Sequence, residues 1–112
     1  MSFLTAIEGG AGIVLQGAEA EALIAECLAG FAAGNVDALF ELGVAFSTGS
    51  HGCNSDLIEA HKWFNIAAAR GHDDAAGCRA DISEEMTARE IAEAQRRARA
   101  WLKAEAEVRR AA

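Results

Sequence analysis

The run Ala33-Gly34-Asn35-Val36-Asp37-Ala38 returns 37 residues later as Arg70-Gly71-His72-Asp73-Asp74-Ala75. Gly34, Asp37 and Ala38 thus overlay Gly71, Asp74 and Ala75. A period of this length holds one helical hairpin. A single hairpin cannot bury its own apolar face, so such units stack on one another. Each copy has a glycine placed to turn the chain and an acid placed to open the next helix, as a hairpin boundary requires.

The rest of the chain agrees with helices. Its 112 residues are one domain's worth, with no proline and 27 alanines, and Leu, Glu and Arg are common. That composition favours helix throughout and argues against a sheet. The expected fold is all-α, about five helices in a short α/α solenoid of antiparallel pairs. Residues 1–17 form an apolar arm broken by Gly9, Gly10, Gly12 and Gly17, where continuous helix is costly. Phe3, Leu4 and Ile7 can make a short turn within it. A first helix is expected over 18–33, closed by Gly34. A second runs over 36–47 behind an Asn35 cap, with Leu39, Leu42, Gly43 and Phe46 as its apolar stripe. Residues 47–55 are a loop, and Asp56 opens a third helix carrying Ala60, Trp63, Phe64 and Ala67, closed by Gly71. A fourth spans 73–84. Thr87 with Glu90 forms a capping box that starts a long fifth helix, supported by Glu93 with Arg97 and Glu105 with Arg109 at i, i+4. This divides one 112-residue domain into an arm (1–17), an N-terminal helix (18–34), a full unit (35–71), and a second unit with C-terminal cap (72–106).

Charge is unevenly placed within a net −7: residues 1–61 hold eight acids and no Lys or Arg. From Arg89 onward seven bases face four acids, so the last helix is +3 and everything before it −10. An acidic body repels phosphates, which argues against nucleic acid or anionic membrane as principal partners. A basic protein surface suits it better. No stretch reaches membrane-span length without charges, and no secretory signal is evident. Cys27, Cys53 and Cys78 are odd in number and widely spaced, as in reduced thiols. A cytoplasmic protein is expected, and the excess of Ala, and of Arg over Lys, suggests a high-GC bacterial coding sequence.

Within one unit the pattern is Ala38-x-x-x-Leu42-Gly43-x-x-Phe46-x-x-Gly49, then Asp56-x-x-x-Ala60-x-x-Trp63-Phe64-x-x-Ala67-Ala68-x-x-Gly71. The alanines let helices approach, Gly43 removes a side chain where a neighbouring backbone is expected, and Trp63 fills the space between helices. Together these residues resemble the Sel-one-like repeat family, relatives of the tetratricopeptide repeats. The resemblance is strongest over 33–75 and extends loosely over about 30–105. The second unit departs from it, with Arg79-Ala80 in place of Leu-Gly, Ser83 in place of the aromatic and Met86 in place of the loop glycine. Ala98-x-x-Trp101-Leu102 then echoes Ala60-x-x-Trp63-Phe64 with one residue inserted. The resemblance implies a right-handed solenoid used as an adaptor or scaffold, with no catalytic residues of its own. With so few units its groove would be shallow, and a partner or a second copy would have to cover its ends, so a homodimer is kept in view.

Catalytic raw material is thin. His51-Gly52-Cys53 and then His61 lack the spacing of a zinc site, and no metal or other cofactor is expected. His72-Asp73-Asp74 is better explained by capping a helix than by holding a metal. The glycines at 9–12 follow no strand and cannot serve a nucleotide loop. No nucleophile motif occurs, so the chain is not expected to be an enzyme. The aromatic residues fall at core spacing. The remaining candidate is an acidic face, with Asp37, Glu41, Val44 and Thr48 on the second helix continued by Asp74, Cys78, Asp81 and Glu85 on the fourth. That face would receive a basic peptide or protein as an adaptor. The alternative is an integral subunit docked permanently in a larger assembly through the N-terminal arm and last helix.

Overall fold

Two left-handed glycines bracket the central unit of the chain, Gly34 at φ 103° and Gly71 at φ 98°. In the computed structural model, which describes residues 11–50 and 55–111, each of them ends a helix in the same way. Asn35 N–H donates to the Gly30 carbonyl and Gly34 N–H to Phe31. At the second site His72 N–H donates to Ala67 and Gly71 N–H to Ala68. These nested bonds satisfy carbonyls that a helix end otherwise strands, and they require a residue at positive φ. The sequence repeat is therefore a repeat of backbone geometry.

The described residues form five helices and no strand: α1 (Ala11–Ala32), α2 (Asp37–Thr48), α3 (Leu57–Ala69), α4 (Ala75–Ser83) and α5 (Ala88–Ala111). The all-α expectation holds. The boundaries differ in two places. Helix α1 starts at Ala11, through Gly12 and Gly17, where an arm was expected. Once 18–32 is helical, each added residue needs only to propagate it, and that offsets glycine penalties of about 1 kcal/mol each. Helix α4 is shorter than expected, starting two residues later, after the His72 bond to Asp74 N–H, and ending at Ser83, whose Oγ donates back to the Arg79 carbonyl at 2.7 Å. Phe3, Leu4, Ile7, His51 and Cys53 lie outside the described residues.

Capping works as the residue types dictate, with one exchange. Asp56 accepts from Glu59 N–H at 3.1 Å to open α3. Thr87 and Glu90 form the reciprocal capping box of α5, at 3.1 and 2.8 Å. At α2 the Asn35 side chain accepts from Asp37 N–H at 3.1 Å. One period later His72 Nδ1 accepts from Asp74 N–H at 3.2 Å, and Asp74 itself makes no side-chain cap. An imidazole nitrogen thus takes the place of an amide oxygen, and of His72, Asp73 and Asp74 it is His72 whose side chain supplies the cap.

Helix α3 is the centre of the packing, lying against α2, α4 and α5, while α1 packs on α2. Leu39, Leu42, Trp63, Phe64 and Ile66 are buried, and so are the alanines expected at crossings, Ala38, Ala60, Ala67, Ala75 and Ala98. Phe46 packs against this core partly buried. A Cβ on Gly43 would sit 2.5 Å from the Phe64 ring. The close neighbour of Gly43 is thus an aromatic side chain and not a backbone. Gly49, at φ 75°, ends α2, and Asp56 N–H bonds back to the Phe46 carbonyl at 2.9 Å to close the loop.

Helices α3 and α5 run parallel, because contacts between them advance together along both. Glu59 meets Arg97 at 2.8 Å, Trp63 meets the Trp101 edge at 5.6 Å between centroids, and Arg70 pairs with Glu105. The first two pairs are each 38 residues apart, the sequence period with its one inserted residue.

His61, on α3, is buried at 2% exposure, and its Nδ1 has no partner among the described residues. Burial, and then the charge of Arg79, hold its pKa below the ordinary histidine value. The neutral ring is the folded form, so its contribution to stability is intact above about pH 6.5 and is lost as pH falls below that. Each unit of displacement is worth about 1.4 kcal/mol. Melting temperature should decline from pH 7.5 to 5.5 more steeply for the natural chain than for His61→Leu. Parallel declines would mean that His61 protonates without penalty.

Candidate partner-binding face

On α2, Ala38, Leu39, Leu42, Gly43 and Ala45 are buried, which turns the opposite side outward. Asp37, Glu41, Val44 and Thr48 are all exposed there, at i, i+4, i+7 and i+11. On the next unit Asp74 and Asp81 are exposed and Cys78 is half-buried. Glu85 is exposed too, but it lies in the turn beyond α4, so the stripe leaves the helix before its last member.

The two halves meet at one imidazole. His72 Nε2 lies 3.2 Å from Asp37 Oδ1, its Nδ1 accepts from Asp74 N–H, and its ring stacks on Phe40 at 4.2 Å and 7°. Beyond that junction α2 and α4 make no substantial packing contact. Glu41 and Val44 instead face α1, where they line a hollow of about 380 Å³ with Leu23, Phe40, Ala45 and Ser50. Leu23 is shared with an adjoining hollow edged by Glu19, Ala22 and Glu26. The α1 contribution was missed in the sequence, although positions 19, 22, 23 and 26 have the spacing of one helix face.

The electrostatics divide the molecule in two. On the α3 and α5 side three acids are matched: Glu59 pairs with Lys62 and Arg97, Glu93 with Arg96 and Arg97, and Glu105 with Arg70 and Arg109. Burial pushes the Glu59 carboxyl up, but hydrogen bonds and charge from Lys62 and Arg97 outweigh it and hold the group low. Hydrogen bonds from Arg96 and Arg97 bring Glu93 down to about 2. Helices α1 and α2 contain no Lys or Arg. Among the described residues Glu19, Glu26, Glu41, Asp74 and Asp81 form no ion pair, and Asp37 has only His72.

A second, more apolar cleft of about 530 Å³ lies between the ends of α1 and α5, lined by Leu28, Phe31, Trp101 and Val108. Trp101 is half-buried there, between Phe31 and Trp63. No three His, Cys, Asp or Glu side chains converge as a metal set among the described residues. Burial and the charges of Asp81 and Asp74 push the Cys78 thiol up, which disfavours the thiolate. Among the described residues no helix is long and apolar enough to cross a membrane.

No protein-family model matches the chain, and no curated protein or solved structure matches it either.

Proposed function

We propose that this chain is a cytoplasmic protein-interaction adaptor, a short solenoid in the manner of Sel-one-like repeats that holds a basic peptide or protein on its acidic side. The repeat reading draws support from the matching helix ends at Gly34 and Gly71 and from the parallel stacking of α3 and α5 near the sequence period. One observation carries the binding reading: Glu59, Glu93 and Glu105 of α3 and α5 are paired internally, whereas among the described residues no acid of α1, α2 or α4 meets a Lys or Arg. Unmatched like charges repel one another and destabilise the fold modestly, and an external cationic surface reverses that cost. On this reading the chain needs no cofactor and catalyses nothing.

Reversing Glu41, Asp74, Asp81 and Glu85 to Lys should test it. Asp37 is left in place because it holds His72. The helical signal should persist, with about 0.3 to 1 kcal/mol lost from Asp74 at the start of α4. Partner capture from the native cell should drop at least tenfold, and capture by the natural chain should weaken steeply with salt. Equal capture by the folded variant would reduce these acids to a solvated face.

A second reading, a subunit docked permanently in a larger assembly, is favoured by the apolar cleft between α1 and α5, where Val108 is 69% exposed. Aggregation of the isolated chain, relieved by Val108→Lys, would support it over the adaptor.

A further inference from the structure

We propose that the seat for the partner is the groove between α1 and α2, and that its occupant is a basic amphipathic helix of another protein. The inference rests on the adaptor reading and narrows it to one place and one kind of ligand. Three features point to such an occupant. The floor is apolar, from Leu23, Phe40, Val44 and Ala45, and Val44 is 36% exposed although it sits among buried neighbours. A purely ionic ligand would leave that floor wet, whereas an apolar stripe at i, i+3, i+4 and i+7 would cover it. The surroundings are acidic, with Glu41 on the wall of the groove and Glu19 and Glu26 edging the hollow that adjoins it through Leu23, all without ion pairs among the described residues.

The third feature is the direction of the backbone dipole. Helix α2 ends at Thr48 with no basic residue in its last turn, and its end borders the groove beside Ala45 and Ser50. The negative end of that helix adds to the carboxylates. Lys and Arg flanking an apolar stripe satisfy all of this at once. The aliphatic stems of such residues also extend apolar cover toward the rim. A volume of about 380 Å³ admits the anchoring side chains of a helix and not a folded domain.

The test uses two fluorescein-labelled synthetic peptides, each 18 residues of Leu and Lys: one ordered as an amphipathic helix, the other scrambled at the same composition. Anisotropy titrations at about 0.1 M salt compare the natural chain with Val44→Asp, Glu41→Lys and, as a control on α5, Glu107→Lys. Val44→Asp makes the face more negative, so a simple charge attraction predicts tighter binding, whereas the groove predicts looser. Expected is at least tenfold weaker binding of the amphipathic peptide by Val44→Asp, with the scrambled peptide held no less tightly than before. Glu41→Lys should weaken both peptides, and Glu107→Lys neither. Circular dichroism of each variant establishes that it is folded.

If Val44→Asp binds the amphipathic peptide as well as the natural chain, while Glu41→Lys still loses it, the groove is wrong and the acidic-face reading stands. If the natural chain binds neither peptide, both readings fall. Sedimentation of the natural chain alone as a dimer that Val44→Asp dissociates would overturn the inference in favour of a second copy.

Discussion

Replacing Trp63 with Ala is expected to cost about 3 to 5 kcal/mol, the range for emptying a large aromatic site. Trp63 is 3% exposed, sits on the central helix and meets the edge of Trp101, so its loss opens a void between α3 and α5. In a domain of this size such a loss lowers the unfolding midpoint by roughly 15 °C or more. Trp63→Phe should recover much of it, because the indole Nε1 has no hydrogen-bond partner among the described residues and nothing polar is forfeited. Arg110→Ala, exposed near the end of α5, should be almost neutral. A Trp63→Ala protein melting within a degree or two of the natural chain would mean that the α3–α5 interface is not the core.

Gly43 and Gly77 should respond in opposite directions to added side chain. At Gly43 a Cβ would overlap the Phe64 ring at 2.5 Å, and Phe64 is itself 2% exposed with Phe40 tilted against it. The ring has no free volume to move into, so Gly43→Val should cost the upper end of roughly 1 to 3 kcal/mol or beyond. Gly77, inside α4, would place a Cβ in open space. Gly77→Ala should therefore stabilise by up to about 1 kcal/mol through helix propensity and a stiffer unfolded chain. Denaturant midpoints of the two variants and of Gly43→Val/Phe64→Leu measure this. The double variant should be less damaged than the sum of the singles, by about 0.5 kcal/mol or more. Additive losses would indicate that Gly43 and Phe64 do not share the space.

The acidic face was half legible. Asp37, Glu41, Val44 and Thr48 are exposed as their spacing implies, since a period of 3.6 decides which residues share a side of one helix. Which helix lies across from them is not encoded by that period. The continuation onto α4 narrows to the contact through His72, while Leu23 of α1 borders the hollow at Glu41 and Val44, and Glu19 and Glu26 edge the one adjoining it.

Local chemistry determined much on its own. Gly34 and Gly71 had to end helices because a left-handed residue there lets its own N–H and that of the next residue reach back to stranded carbonyls. Thr87 and Glu90 had to open one, because each satisfies the other's backbone donor. Absence of proline and abundance of alanine left helix as the dominant state between those points. Tertiary packing decided what no local rule contains. It buried His61, it set the Phe64 ring against Gly43, and it paired Glu59 with an arginine 38 residues away. Those outcomes depend on which surfaces of different helices meet, and that is settled by the fit of side chains across the whole core, a property of volume and not of periodicity.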